Sequence, residues 1–174
     1  MRGWTQADIE PVPGKPKLKR KKYIKRNAPL KNVSSSESAR AKARAWEWFS
    51  KFIRLRDSIR TTGTKDNCRC VTCGNMKPSF TTDDCIQAGH WLGGRTGKNL
   101  FDENAVHGQC TRCNKYLHGN NANYTEYMIE HYGQEECDRI TRQANTSHRY
   151  AAFEFREISD KYREKYNELM KETE

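Results

Sequence analysis

Two pairs of cysteines in this 174-residue chain have the C-x2-C spacing with which proteins bind zinc. The four residues are Cys70, Cys73, Cys110 and Cys113. Because each tight turn presents two sulfurs, the pairs together predict one tetrahedral, structural Zn²⁺ site. Cys68 competes with Cys70 for the first position, although only the 70/73 spacing matches that of the second pair. We interpret Cys85 and Cys137 as small buried residues.

Two further side chains near these cysteines have the chemistry of phosphodiester hydrolysis. His90 lies between the two pairs, and Asn114 directly follows the last cysteine. A neutral imidazole can take a proton from an attacking water. An amide oxygen suits a hard cation such as Mg²⁺ or Mn²⁺, which a thiolate does not. The residues therefore predict a catalytic metal held partly by Asn114 and facing His90. Each also has a structural alternative, His90 as an ordinary buried histidine and Asn114 as a cap for backbone groups.

His107 is the third candidate catalytic residue. It lies in the stretch AVHGQC, three residues before Cys110. We expect it to support the strand pair or to orient a phosphate rather than to act as the base. The three other histidines, His118, His131 and His148, are interpreted as surface or helix-end residues.

The elements that must position these side chains are short. Residues 85–91 predict a strand that ends at His90, and residues 105–110 predict the returning strand. The stretch LGGRTGKN between them is rich in glycine and predicts a loop that carries Arg95 and Lys98. Residues 111–119 predict a first helix with Asn114 on it. The resulting order is strand, loop, strand and helix, with the zinc holding the start of the helix.

Helices are predicted on both sides of this segment. The sequence SSSE places a capping box, Ser34 with Glu37, before a helix over about 36–60. Residues 121–144 predict two short helices separated at Gly133, and a final helix is predicted over about 148–171 with NTS as its cap. The fold class is therefore α+β. We divide the chain into 1–33, a disordered basic arm; 34–62, an amphipathic helix; 66–120, the zinc-bound core; and 121–174, the C-terminal helices.

The charge of the chain favours a polyanionic partner. The formal net charge is +10, and the arm contains a run without acidic residues. Its cations are Lys15, Lys17, Lys19, Arg20, Lys21, Lys22, Lys25, Arg26 and Lys31. Such a run cannot fold alone, but it releases counterions when it neutralises phosphates. A solubilising tail or a targeting signal is the alternative. We expect the arm, Arg95 and Lys98 to bind nucleic acid.

The remaining composition indicates a cytoplasmic protein. No stretch is long and apolar enough to span a membrane, and the N-terminus lacks the apolar run of a secretory signal. In a reducing compartment, seven cysteines favour metal binding over disulfides.

The order of the motifs resembles a known family. The stretches RCVTCG, AGHW, HGQCTRCN, GN and YMIEHYGQEECDRI resemble the NinG (Rap) recombination endonucleases of lambda-like phages, and the likeness covers about residues 36–172. The arrangement is also similar to phage endonuclease VII, a zinc-stabilised HNH resolvase with Asn after its last zinc cysteine. The resemblance implies a ββα-metal (HNH-like) core and Mg²⁺-dependent cleavage of D-loops and Holliday junctions.

The chain departs from this pattern at several positions. Family members often have an acidic residue at the position of Gln87, Asn at that of Ala105 (Asn104 is adjacent here) and a basic residue at that of Leu117. HNH sites generally carry an acidic metal ligand before the histidine, where this chain has Gly89. The second oxygen ligand is therefore open, and the candidates are His107, Asp102, Asp83 and Asp84.

The sequence thus predicts a structure-selective DNA endonuclease that acts on branched DNA, with a homodimer through the terminal helices expected by analogy. The alternative is a non-catalytic zinc module that binds nucleic acid through a degenerate HNH site. An RNA-binding protein is a third option, although the chain lacks an obvious row of base-stacking aromatic residues.

Overall fold

The computed structural model describes residues 33–80, 83–93 and 97–173, with side chains from residue 37 onward. The predicted basic arm (except Val33) and Arg95 lie outside these residues. In the described part, three α-helices and four short strands follow one another. They are α1 (Val33–Thr62), β1 (Asn67–Arg69), β2 (Met76–Pro78), β3 (Gln87–His90), β4 (Val106–Gln109), α2 (Asn121–Ala144) and α3 (Ala152–Lys171).

The two terminal helices, α1 and α3, pack against each other. Buried residues of α1, among them Phe49 and Phe52, meet Phe155 and Tyr162 of α3, and Phe49 and Tyr162 lie edge to face with ring centroids 4.8 Å apart. Aromatic pairs in this arrangement stabilise a core beyond the area that they bury. The apolar residues of α3 that face α1, Phe155 and Tyr162, are therefore buried within the chain.

The last helix begins later than the sequence indicated. The predicted start near residue 148 was wrong, because α3 starts at Ala152. The Glu154 carboxylate accepts a hydrogen bond from the Ala151 backbone N–H, which fixes the first turn there. The predicted break in α2 is present, since Gly133 has φ 76° inside that helix.

The strands form two antiparallel pairs rather than one sheet. β1 pairs with β2, and β3 pairs with β4, with Gln87 opposite Gln109 and His90 opposite Val106. The predicted strand, loop and returning strand are thus present. The loop ends in a 3₁₀ turn, Lys98–Phe101, which the sequence did not indicate. No helix in the described ranges is long and apolar enough to cross a membrane.

Two separate clusters of buried side chains hold these elements. The larger one joins α1, α2 and α3 with β3 and β4. The smaller one consists of Cys68, Cys70, Ile86, Cys110 and Cys113. Of these five residues, one, Ile86, is aliphatic, which gives little apolar surface for a core. The part of the chain packed around this smaller cluster, the zinc lobe, therefore needs another source of stability.

A buried carboxylate, Asp57, connects α1 to β4. It is fully buried, and its two oxygens accept hydrogen bonds from the Gly108 backbone N–H (2.7 Å) and the Arg56 Nε (2.9 Å). Burial alone would raise the pKa of Asp57, but the charge and the hydrogen bond of the adjacent Arg56 guanidinium outweigh burial and hold the pKa well below its usual range. The helical pattern of α1 gave no sign of this ion pair.

Replacing Asp57 with Asn is expected to lower the free energy of unfolding by about 3 kcal/mol at pH 7, because it leaves buried cations uncompensated. Urea unfolding measures the loss. A depressed pKa stabilises the fold only above the unfolded value near 3.9, so the difference from wild type should shrink as the pH falls below about 4. Asp160→Asn is the control, since that carboxylate is exposed and pairs only with Arg163. Equal losses in the two variants would contradict the assigned role.

Candidate functional site

The four cysteines predicted to bind zinc lie together. Their sulfurs are all within 4.8 Å of one another, and the Sγ atoms of Cys73 and Cys110 are 3.8 Å apart. A tetrahedron with Zn–S bonds of about 2.3 Å has sulfurs about 3.8 Å apart, so the set fits one Zn²⁺. Cys68 is not in this group; it is buried beside Thr61, and burial raises its pKa to about 11. Cys70, not Cys68, therefore belongs to the first pair.

The turns around these sulfurs have the geometry of zinc knuckles. Gly74 donates its backbone N–H to the Cys70 carbonyl at 2.9 Å and has φ 71°, a conformation that favours glycine. In the second knuckle the Cys113 N–H points at the Cys110 sulfur, at 3.5 Å. The Asn120 amide also donates to the Cys113 sulfur at 3.7 Å, and the Val71 N–H donates to the Gly108 carbonyl at 3.0 Å, so both knuckles are tied to neighbouring segments as well.

The thiols in the cluster interact strongly. Burial opposes ionisation of Cys70, but hydrogen bonds from Thr72 and from backbone groups outweigh it and lower the pKa to about 7. Burial and the neighbouring Cys70 thiol raise the pKa of Cys73 to about 12. Four crowded sulfurs cannot all ionise unless a cation offsets their charge, which is the condition under which thiolates hold zinc.

The second knuckle leads into a short helical turn that carries Asn114. The predicted helix over 111–119 is only a five-residue π-helical turn, Arg112–Tyr116. It ends there because His118, Gly119 and Asn120 all have positive φ. Asn114 is half-buried, and its Nδ2 donates to the Gln87 Oε1 at 2.8 Å. The knuckle thus brings Asn114 against the first residue of β3.

The position before His90 has no room for a side chain. A Cβ atom on Gly89 would lie 2.1 Å from the Gln109 Oε1 and 3.2 Å from the Asn114 Oδ1. The Gln109 amide is fully buried and donates to the Gly119 carbonyl at 2.7 Å, while its Oε1 has no hydrogen-bond partner. The acid expected at this position is therefore excluded by Gln109, and two amide oxygens converge on the Gly89 backbone instead.

His90 contacts α1 and the 3₁₀ turn. Its ring stacks on Trp46, with centroids 5.2 Å apart, and its Nε2 lies 3.3 Å from the Leu100 carbonyl oxygen. A carbonyl only accepts, so the Nε2 carries the proton and the lone pair is on Nδ1. This is the tautomer that a base acting through Nδ1 requires. The contact joins residues 44 positions apart in the sequence, so no local pattern indicated it.

His90 and Asn114 do not lie on one face of β3. Successive side chains of a strand point to opposite faces, so Gln87 and Gly89 share the face of Asn114 while His90 projects from the other. A hollow of about 360 Å³ runs along β3 and is lined by residues of both faces, Gln87 and Ala88, whereas His90 is not part of its lining and contacts it through the Trp46 ring. Its lining includes Trp46 on one side and Asn114 on the other.

His107 is held as a structural residue. It is fully buried, its Nε2 donates to the Asn104 carbonyl (3.1 Å), and its Nδ1 accepts from the Arg56 guanidinium (3.0 Å). Burial keeps its pKa below the usual value, so the ring stays neutral. Both nitrogens are used, which suits the support of β4 that the sequence favoured for it.

The candidates for a second oxygen ligand lie in other contacts. Asp84 pairs with Lys77, Asp102 pairs with Arg139, and Asp83 is exposed. The residue beside Asn114 is Gln87, which was not among the predicted candidates for the second oxygen ligand. Its only signal in the sequence was that the related family often carries an acid at this position.

The predicted DNA-binding residues are described only in part. Lys98 is exposed at the start of the 3₁₀ turn, two residues from Leu100. Arg95 and the cations of the basic arm lie outside the described residues. Cys137 is buried as predicted, whereas Cys85 is only half-buried and lines the hollow at the edge of β3.

Comparison with known proteins agrees with the resemblance seen in the motifs. The family described as the bacteriophage lambda NinG protein matches residues 14–172, nearly the whole chain. No curated protein matches the chain, and no solved structure matches it. The four-cysteine site and the Asn114 turn both lie within the matched residues. The chain belongs to the bacteriophage lambda NinG family, a family of phage recombination proteins.

Proposed function

We propose that this protein is a structure-selective endonuclease that cuts branched recombination intermediates, such as Holliday junctions and D-loops, with Mg²⁺. The observation that carries the proposal is the contact between Asn114 and Gln87 at the edge of β3. It places two amide side chains beside a hollow, on the back of the zinc knuckle. Family membership supports a role in phage recombination. Within the α+β fold, β3, β4 and the Asn114 turn would form the ββα-metal (HNH-like) unit.

The residues of the hollow fit an oxygen-liganded cation through their amide groups. Asn114 and Gln87 would hold Mg²⁺, which polarises the scissile phosphate when bound. Both ligands are neutral, so most of the charge that attracts the cation must come from the DNA phosphate. We therefore expect weak metal binding by the protein alone and stronger binding with DNA present.

His90 is the proposed base. Its Nδ1 takes a proton from the water that attacks phosphorus, while the bond from phosphorus to the 3′ oxygen breaks and that oxygen is protonated from solvent. The hydrogen bond of its Nε2 to the Leu100 carbonyl holds the ring in the required tautomer. Because His90 and Asn114 lie on different faces of β3, the proposal requires the phosphate to lie across the strand edge, between the hollow and the His90 ring that stacks on its Trp46 wall.

One observation favours a second candidate, a zinc module that binds nucleic acid without cutting it. No carboxylate occurs among the described residues that line the hollow. A site without a charged ligand holds Mg²⁺ poorly, so binding without cleavage is the function that remains if the metal does not bind.

Symmetric cleavage of a four-way junction needs two active sites, so we also propose a homodimer. Because α1 and α3 cover each other's apolar faces, the dimer would have to form through other surfaces of these helices. Sedimentation of the zinc-loaded protein tests this directly.

Removing the Asn114 amide tests the metal site and the function together. Asn114→Ala should raise the Mg²⁺ concentration for half-maximal junction cleavage by about tenfold to a hundredfold, because it removes one oxygen ligand. The measurement is single-turnover cleavage of a labelled four-way junction over a Mg²⁺ series. Asn123→Ala is the control, since that amide also donates one hydrogen bond, to the Thr72 carbonyl, but lies outside the hollow. Identical Mg²⁺ curves for the two variants would remove Asn114 from the metal site.

A further inference from the structure

A row of residues along α1 connects two hollows in the protein surface. Its members recur every fourth residue, which places them on one ridge of the helix. They are Ser38, Lys42, Trp46, Ser50 and Arg54. The first two line a hollow of about 240 Å³, and the last three line the hollow of about 360 Å³ at the edge of β3. None of these five residues has a role in the zinc site or in the proposed cleavage step.

Other chain segments add cations to both ends of the row. His148 and Arg149, from the connection before α3, complete the first hollow beside Lys42. Lys115, from the turn that carries Asn114, completes the second hollow beside Arg54. Each end thus combines two long cationic side chains with a serine hydroxyl, which are groups that contact DNA phosphates.

The charges at these ends are not neutralised by the protein. Among the described residues, neither hollow has a carboxylate in its lining. Lys42, Arg54, Lys115 and Arg149 also take part in none of the ion pairs between described residues. A neighbouring hollow on α1 differs, since Glu37 and Glu47 lie in its lining. Both ends of the row are therefore cationic sites whose linings, among the described residues, contain no carboxylate.

The arrangement also has a fixed geometry. The Arg54 guanidinium stacks on Phe80 and donates to the Ser79 carbonyl, so it is oriented before any ligand arrives. Twelve residues separate Lys42 from Arg54, which is about 18 Å along a helix, or about five nucleotide steps of 3.4 Å. Between them lies Trp46, stacked on His90. The candidate base therefore lies between the two cationic ends, nearer to Lys42, which is four residues from Trp46, than to Arg54, which is eight residues from it.

We propose that this ridge of α1 is the track of the cleaved DNA strand, with phosphates seated at both ends and the scissile phosphate beside His90. This inference rests on the proposed function, because it assumes that DNA is the substrate. In this proposal Lys42 and Arg149 bind a phosphate at one end, and Arg54 and Lys115 bind a phosphate at the other. The DNA strand passes along the edge of β3 between them.

Paired substitutions test the track. Lys42→Gln with Arg149→Gln removes one end, and Arg54→Gln with Lys115→Gln removes the other. Lys161→Gln with Lys171→Gln is the control, because it makes the same change in net charge on the exposed part of α3. Binding of a four-way junction is measured without divalent metal over a series of salt concentrations. The plot of log K against log salt has a negative slope. Each track pair should reduce the magnitude of that slope by between about one and two, and the control pair by less than about 0.5.

A second measurement uses the wild-type chain and does not depend on the folding of any variant. Cys85 is half-buried and lines the second hollow, so a strand on the track would cover it. Alkylation of Cys85 by iodoacetamide, followed by mass spectrometry of the zinc-loaded protein, should be at least about fivefold slower with bound junction. The thiols of the zinc site serve as the internal reference.

The outcomes separate the two proposals. If wild type binds and cuts the junction while the track pairs behave like the control and Cys85 stays unprotected, the track is wrong and the endonuclease remains. If wild type binds no DNA at all, the proposed function and the track are both overturned. A shallower salt dependence in both track pairs, together with slower alkylation of Cys85 in the junction complex, establishes the track.

Discussion

Removing zinc is expected to unfold the lobe that contains β1, β2, the two zinc knuckles and the Asn114 turn, while β3 and β4 stay packed against the helices. The smaller core cluster holds four cysteines and one aliphatic residue, Ile86, so little apolar burial is left to hold it without the metal. Structural zinc contributes about 10–16 kcal/mol to the folding of zinc-finger peptides. Because α1 and α3 pack in a separate cluster, we expect loss of the lobe with partial retention of helix. Strong chelation followed by circular dichroism and proteolysis measures this.

Substitution distinguishes zinc binding from ordinary cysteine packing. Cys113→Ser should lose the metal, seen as less than one zinc per chain, and should show the same proteolytic sensitivity as the chelated protein. Cys85→Ser is the matched control, because that thiol lies outside the cluster and should leave one zinc bound. A wild-type chain that folds without zinc, or a Cys113→Ser chain that retains it, would contradict the assignment.

Replacing His90 with Ala is expected to slow junction cleavage by about 10²–10⁴-fold, the usual contribution of a general base. Binding should change little, since the proposed phosphate contacts come from other residues. Single-turnover rates with excess protein measure cleavage, and gel shift without metal measures binding. Added imidazole should restore part of the rate in this variant, because it can accept the proton in the vacated space.

His131→Ala is the matched control for His90. The His131 ring also stacks on an aromatic residue, Tyr127, with centroids 4.0 Å apart, and contacts a backbone carbonyl. Both substitutions therefore remove an imidazole that stacks on an aromatic ring and contacts a backbone carbonyl. If the two variants cut at the same rate, His90 acts through packing and not as the base.

The parts of the site that depend on local spacing were predictable. A few neighbouring residues determine the C-x2-C pairs, the strand that ends at His90 and the glycine-rich loop after it. The antiparallel pairing of β3 with β4 followed from them. The choice between Cys68 and Cys70 also followed, because only one spacing repeats.

The parts that depend on tertiary approach were not predictable. The contact of Gln87 with Asn114 requires both the pairing of β3 with β4 and the angle of the knuckle. Exclusion of an acid at position 89 comes from Gln109, twenty residues away in sequence. A buried carboxylate such as Asp57, in a helix predicted only as amphipathic, has no local signature. Residues His90 and Asn114 were expected to face each other, and only the strand alternation showed that they project from different faces.

The most direct test of the account is cleavage by the wild-type, zinc-loaded protein. A labelled four-way junction and a linear duplex of the same sequence are incubated with excess protein, with Mg²⁺, with Mn²⁺ and with chelator at a concentration that leaves the zinc site loaded. We expect cuts near the branch point of the junction, little cutting of the duplex, and no cutting of either DNA without divalent metal. Binding of the junction without cleavage under every metal condition would contradict it and would leave a zinc-stabilised DNA-binding protein.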